Sequence, residues 1–280
     1  MKVLFNCWRG ASVLLFAVVM FCSCADGGGN ESRRLVATIE PLRAVAAEIA
    51  GSDWQVSALV PQGFSPEDYS PTAAQMAEVA EARYLIKVGR LGFETVWLPK
   101  AKSATPALSV VDSSEGISEA AFDPHTWTSP HNIKQIARNI ARALSEADSA
   151  NASAYARRLS RIEASADSVD NAVRELLAQT RARTFIITHP ALTHFAARYG
   201  LRQLAIEPDG KEPTPASVQA LISEAKASGV QVIFVQQEFS DRSALMIAEQ
   251  TGANIVSINP LSADWQGELL RIAQALRDGK

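Results

Sequence analysis

The 280-residue chain predicts an α/β fold of two lobes, each a parallel sheet flanked by helices, joined by one long rigid helix. Three observations predict it. Short β-branched runs alternate with helical segments in the first half, the same alternation resumes in the second, and a long glycine-free stretch lies between them. Alternation of this kind favours parallel strands with helices on the sheet faces. The helical stretch shows no sustained heptads beyond its own length. It therefore reads as a strut connecting two lobes rather than as a helical hairpin or coiled-coil stalk.

In the first half, Leu35-Val36-Ala37-Thr38-Ile39 is a short buried strand and Leu42 to Ala50 a helix ended by Gly51. Val56-Ser57-Ala58-Leu59-Val60 is the next strand, followed by a Pro- and Gly-containing loop from Pro61 to Pro71. Thr72 is the expected N-cap of a helix running to about Ala82. Tyr84-Leu85-Ile86-Lys87-Val88 is a third strand and Leu108-Ser109-Val110-Val111 a fourth. From Ser129 to Thr180 there is no glycine, and the sole proline, Pro130, suits a first helical turn. Ile133, Ile136, Ala137, Ile140, Ala141 and Leu144 recur at helical spacing. Ala152 to Gln179 carries Tyr155, Leu159, Ile162, Ala166, Val169, Val173 and Leu176 at three- and four-residue steps. Such a helix is ~42 Å long, well beyond the globular average.

After this strut come a strand at Phe185-Ile186-Ile187, a helix from Ala191 to Tyr199, and a strand at Gln203-Leu204-Ala205-Ile206. Thr214-Pro215 opens a helix through Ser228, and Val230 to Val235 is a strand. Asp241 to Gln250 is a helix, Ile255 to Ile258 a strand and Trp265 to Ala275 a final helix. No internal sequence repeat is visible, although the two halves look alike in plan. The spans expected are 1–23 signal peptide, 24–34 flexible tether, 35–148 N-terminal lobe, 149–181 linking helix and 182–280 C-terminal lobe.

The N-terminus reads as a targeting segment. Lys2 and Arg9 are positive, and the apolar run Ala11 to Phe21 is too short for a membrane span. Phe21-Cys22-Ser23-Cys24 resembles a bacterial lipobox with Cys24 acylated, because bulky Phe21 makes Cys22 the poorer candidate. Asp26 to Ser32 looks like the tether of a lipid-anchored protein. The alternative is an ordinary secretory signal containing cysteines. Removing Lys2 and Arg9 takes the net charge from −3 to −5, which argues against nucleic-acid binding. The three cysteines (Cys7, Cys22, Cys24) all lie at or before the cleavage point, so the mature body has no disulfide and no thiolate ligand. Any metal must be held by nitrogen and oxygen.

The four histidines fall in two close pairs, His125 with His131 and His189 with His194. Imidazole is the commonest metal ligand. His125 follows Asp123-Pro124, which turns the backbone away from helix; a capping histidine is the other reading. His189 ends the run Thr184-Phe185-Ile186-Ile187-Thr188, where a packed core histidine is the other reading. Open parallel sheets bind ligands outside the carboxyl ends of their strands, which places both imidazoles at one inter-lobe cleft. His194 lies about 140° around a helix from His189 and reads as a helix-face residue, and His131 as a surface residue. Zinc usually takes four ligands, so oxygens must complete the site. Glu67 and Asp68 lie in the loop held between Pro66 and Pro71, Glu238 follows a buried strand, and Asn259 offers only a neutral amide oxygen.

The blocks Gly63-Phe64-Ser65-Pro66-Glu67-Asp68-Tyr69-Ser70-Pro71-Thr72, Asp123-Pro124-His125-Thr126-Trp127 and His189-Pro190-Ala191 resemble the zinc/manganese ABC-transporter solute-binding lipoproteins (cluster A-I). So do Phe195 to Leu201, Val232 to Val235 and Ile247 to Ala253, in the family's order across nearly the whole mature chain. The resemblance implies two lobes, one long helix and a metal in the cleft. It implies a non-enzymatic, monomeric protein of the periplasm or cell envelope, anchored to the membrane, that passes a divalent ion to a permease. By matching position it carries the ligand role to His125, His189 and Glu67, with Asn259 behind them; Glu238 is this chain's own substitute candidate for a fourth ligand, with water as its rival. Relatives usually have histidine at the place of Glu67 and often aspartate at that of Asn259, and the histidine-rich loop of many zinc members is absent. Zn2+ is the expected ion, with Mn2+ or Fe2+ admitted by the harder ligands. A secreted metal-dependent hydrolase and a binding protein for an organic metal chelate are the alternatives. The chain lacks the His-Glu-x-x-His, Gly-x-Ser-x-Gly and phosphate-loop patterns of the first.

Overall fold

The computed structural model describes residues 33–118, 123–208 and 210–280. The expected signal peptide, Cys24 and the tether up to residue 32 lie outside the described residues. Among the described residues no helix is long and apolar enough to cross a membrane.

Strands β1 (Arg34–Ala37), β2 (Gln55–Ala58), β3 (Tyr84–Lys87) and β4 (Ser109–Asp112) form one parallel sheet in the order β2-β1-β3-β4. Strands β5 (Thr184–Ile187), β6 (Arg202–Ala205), β7 (Val232–Gln236) and β8 (Asn254–Ile258) form a second in the order β6-β5-β7-β8. Counted within each lobe, both sheets run 2-1-3-4, the likeness in plan that the sequence shows without a repeat. All residues of β5 and β7 are buried, as central parallel strands covered on both faces must be. The helices are α1 (Glu40–Ala50), α2 (Ala73–Glu81), α3 (Gly92–Ala104), α4 (Pro130–Ala147), α5 (Ala152–Ala178), α6 (Thr193–Tyr199), α7 (Pro215–Ala227), α8 (Arg242–Thr251) and α9 (Trp265–Asp278).

Most elements fall within a few residues of their predicted places. Thr72 caps α2 with its side chain and forms a capping box with Gln75, as its type and position suggest. Helix α3 is the exception, since the sequence reading assigned it no element. It opens on Gly92 and carries Pro99 inside, two residues that argue against helix. It survives because Pro99 sits on the exposed face while Phe93, Trp97 and Ala101 are buried. Glu94 adds to it: its buried carboxylate accepts the N–H groups of Val88 at 2.8 Å, Gly89 at 2.7 Å and Leu91 at 3.4 Å, tying the start of α3 to the end of β3.

The 27 residues of α5 make a rod ~40 Å long. It packs along α4, α9 and α1. Tyr155 and Ile162 near its start and Val173 near its end belong to one continuous apolar core shared with Trp54, Phe185 and Leu269. Asp170 in α5 accepts Arg198 Nη2 at 2.8 Å, the Tyr199 hydroxyl at 2.9 Å and Arg174 Nε at 3.1 Å, which locks α6 to the strut. Burial alone would raise its carboxyl, but the bonds from Arg198, Tyr199 and Arg174 outweigh it and hold the pKa at about 2. A carboxylate held below its unfolded value adds stability that is full above about pH 4 and is lost as pH falls toward 2. Asp170→Asn should therefore cost about 1–2 kcal/mol at pH 7, after allowance for the half-exposed arginines. The gap to the parent, read by urea unfolding at pH 7, 4 and 2.5, should narrow at the lowest pH.

Candidate metal centre

The strand ends of both sheets supply the site. Glu67 lies in the loop that leaves β2, His125 in the turn that follows β4, His189 two residues beyond β5, and Gln236 ends β7.

The Glu67 loop is fixed at several points. Gln75 accepts the Tyr69 hydroxyl at 2.9 Å and donates to the Leu59 carbonyl at 2.6 Å, closing the loop back onto the sheet. Ser65 Oγ accepts the Glu67 N–H at 3.2 Å. Gly92 packs directly against the loop: a Cβ there would stand 2.0 Å from the Glu67 carbonyl oxygen, so only glycine permits this approach. The Gly92 N–H also bonds the Glu67 carboxylate, at the positive end of α3.

His125 is held from behind. Asp123 Oδ1 accepts the His125 backbone N–H at 2.8 Å and its ring Nδ1 proton at 2.7 Å. That fixes the tautomer and leaves Nε2 free to hold a metal ion. The ring lies 5.2 Å from that of Trp127, whose indole N–H donates to the Pro260 carbonyl at 2.8 Å. His189 is set by its N–H, which donates to Gln236 Oε1 at 2.9 Å, and by Phe239, stacked at 5.1 Å with planes 4° apart.

Glu67 Oε1 stands 3.6 Å from His125 Nε2 and 3.7 Å from His189 Nε2. With bonds of 2.0–2.2 Å to a tetrahedral zinc, ligand atoms sit about 3.4 Å apart, so Glu67 Oε1 is within tenths of an ångström of that spacing from each imidazole. The ligand atoms of Glu67, His125 and His189 all lie within 4.8 Å of one another. Glu67 Oε1 and both ring nitrogens of His189 are buried without a hydrogen-bond partner, an arrangement that costs free energy unless something fills it. The space they line, with Ser65, Trp127 and Gln236, is about 20 Å³, room for one ion or water.

Electrostatics follow from these contacts. Burial pulls the His125 imidazolium down, but its bond to Asp123 and the negative charges of Asp123 and Glu67 outweigh that and raise its pKa to about 9. His189 is pushed down to about 4 by burial and by the charge on His125. Burial would raise Glu67, but the two imidazoles hold it below its ordinary value.

The other expected oxygens fare differently. Glu238 is half-buried and lines the same space but stands outside the close group of three. Asn259 is not brought in: its Oδ1 accepts the Leu261 N–H at 3.0 Å in a turn of its own. His131 is exposed, as expected. His194 is not the plain helix-face residue expected: it is buried and bonded on both ring nitrogens. Sequence reasoning also missed Asp123 as the partner of His125, although an acid two residues before a histidine was the available signal.

The fold and the site together define a two-lobed solute-binding protein with a place for one metal ion. The family described as ZnuA, zinc-uptake complex component A, periplasmic, matches residues 35–278, and the chain belongs to that family. Its members are solute-binding proteins of transporters, not enzymes. The chain is 25% identical over 289 residues to the high-affinity zinc uptake system protein ZnuA of Bacillus subtilis, covering 92% of this chain and 90% of that protein. It is 27% identical over 270 residues to the zinc-binding lipoprotein AdcA of Streptococcus pneumoniae, covering 85% of this chain and 51% of that longer protein. A solved crystal structure of ZnuA superposes with a TM-score of 0.84 at 33% identity, covering 88% of this chain and 98% of that one.

Gly92 gives this geometry a direct test. Gly92→Ala should push the Glu67 backbone aside at a cost of about 1–3 kcal/mol. Zinc affinity, measured by chelator competition, should fall about tenfold or more, of the order seen when a ligand's support is lost. Exposed Val96→Ala on the same helix should change neither.

Proposed function

We propose that this protein captures one divalent metal ion, zinc before manganese or iron(II), with His125, His189 and Glu67, and delivers it to the permease of an ABC uptake system. The observation that carries the reading is the buried, unpartnered set of Glu67 Oε1 and the His189 ring nitrogens facing His125 Nε2. Two imidazoles and one carboxylate suit zinc, and the carboxylate keeps harder ions within range. Glu238 is the protein oxygen that stands ready for a fourth contact, with water as its rival. Residues 1–23 act as the signal peptide and Cys24 as the lipid-bearing residue, holding the protein by a tether through residue 34 in the periplasm or cell envelope. Residues 35–148 and 182–280 serve as the lobes, 149–181 joins them, and the protein works as a monomer.

A space of about 20 Å³ favours a bare ion over an organic chelate. Calorimetric titration of the mature protein should give about one zinc per chain, and His125→Ala should abolish tight binding. Unchanged affinity in that variant would refute the ligand assignment.

Proton competition gives a second check. At pH 7 the metal-free site carries its proton on His125, with its pKa at about 9, while His189 at about 4 is neutral. Zinc must displace that one proton, so apparent affinity should rise about tenfold per pH unit from roughly 5 to 8 and level off above about 9. Titrations in buffers of different ionisation heat should show about one proton released per zinc.

A further inference from the structure

His194 lies outside the ligand set, yet it is 5% exposed and both its ring nitrogens are engaged. Its Nε2 sits 2.9 Å from the Asp123 carbonyl oxygen and its Nδ1 3.3 Å from Asn132 Nδ2. A carbonyl only accepts, so Nε2 carries the proton, and Nδ1 accepts from the Asn132 amide. One tautomer satisfies both contacts, and no lone pair is left for an ion. The neighbouring residue, Thr193, lies close enough to the Asp123 carboxylate to help hold its pKa down, while its hydroxyl donates to the Pro190 carbonyl at 3.3 Å. The first turn of α6 thus grips the Asp123 main chain through His194. Asp123 in turn takes the backbone and ring N–H groups of His125 on one oxygen.

We propose that His194 is a positioning residue of the metal centre: it fixes Asp123, and through Asp123 the His125 imidazole, without touching the ion. The inference rests on the reading of Glu67, His125 and His189 as ligands. Its structural logic is reach. His194 belongs to the helix that follows His189, while Asp123 and His125 belong to the turn after β4. The contact therefore braces one ligand's segment against the other's and helps set the 5.1 Å between the two imidazole rings. On the far side of His125, the Trp127 bond to the Pro260 carbonyl holds the same turn. His189, in the bend before α6, faces the ion's place, and His194, on α6, faces the backbone that positions its partner.

The test compares His194→Phe, which keeps a ring but removes both nitrogens, with His194→Gln, whose amide nitrogen reaches the place of Nε2. Zinc affinity is read by competition with a chromophoric chelator, ligand geometry by the d–d absorption of the cobalt(II)-loaded protein, and packing by thermal unfolding of chelator-stripped protein. His194→Phe should bind zinc ten- to a hundred-fold more weakly with an altered cobalt spectrum, the size expected for a lost outer-shell bond, and His194→Gln should recover to within about threefold. Parent-like affinity and spectrum in His194→Phe would overturn the proposal, and so would equal losses in both variants, since packing alone would then explain them. Should His194→Phe fail to fold, Asn132→Leu removes the bond that fixes the tautomer; it should weaken zinc several-fold, and an unchanged affinity would overturn the proposal. A parent protein that binds no zinc would remove the functional reading itself, whereas tight parental binding with an unaffected His194→Phe would remove only the brace.

Discussion

The site depends on the bond between Asp123 and His125 Nδ1. It turns the imidazole so that Nε2 meets Glu67 Oε1, and it places a second carboxylate within one ring of the ion. Burying a divalent ion is costly unless opposite charge is buried with it. Asp123 and Glu67 supply two negative charges, the number needed to neutralise such an ion. In the metal-free state the proton on His125 offsets one of them, which is why its pKa stands at about 9 inside a buried site. Loading would therefore exchange one charge for two and give partners to the unpaired Glu67 Oε1 and His189 Nε2.

The fold makes that local bond useful. Each ligand comes from a loop at the carboxyl end of a strand, and the repeated 2-1-3-4 order points both sets of strand ends at one space. Helix α5 keeps the two sheets in register through a continuous core, and Asp170 locks α6, which leads away from His189, to that rod. Glu67 is seated separately, by the capping box of α2 and by Gly92 at the head of α3. Side chains far apart in the chain then stand close, Glu67 Oε1 at 3.6 Å from His125 and 3.7 Å from His189, with little freedom to drift.

Much of this was legible in the sequence because it is local. Strand alternation, the glycine-free run that became α4 and α5, Thr72 as the cap of α2, and the positions of His125 in a loop and His189 at a strand end all follow from spacing and residue type. Helix α3 was not legible, because Gly92 and Pro99 speak against helix, and the reasons they are tolerated are tertiary: the Glu67 backbone against Gly92, and solvent over Pro99. His194 was misjudged for the same kind of reason. It stands outside the close group of Glu67, His125 and His189, as expected, but only the folded chain brings the Asp123 carbonyl to its Nε2. Asn259 shows the converse, a residue whose position suggested a ligand and whose amide oxygen instead closes its own turn on Leu261.

The close group of three protein donors found among the described residues is smaller than the set a closed structural zinc site uses. Selectivity and affinity must then come from preorganisation and size rather than ligand number. Both are visible: the second-tier bonds fix two of the three donors before any ion arrives, and the space between them is about 20 Å³. A hydrolase would need room beside the metal for a substrate and a poised base, and a chelate binder would need room for the chelator's own atoms. A space of about 20 Å³ offers little of that room. A carrier has the opposite requirement: it must hold the ion firmly, shield it, and let it go, so a small buried pocket with one carboxylate arm and no excess of ligands is the arrangement that serves capture and delivery together.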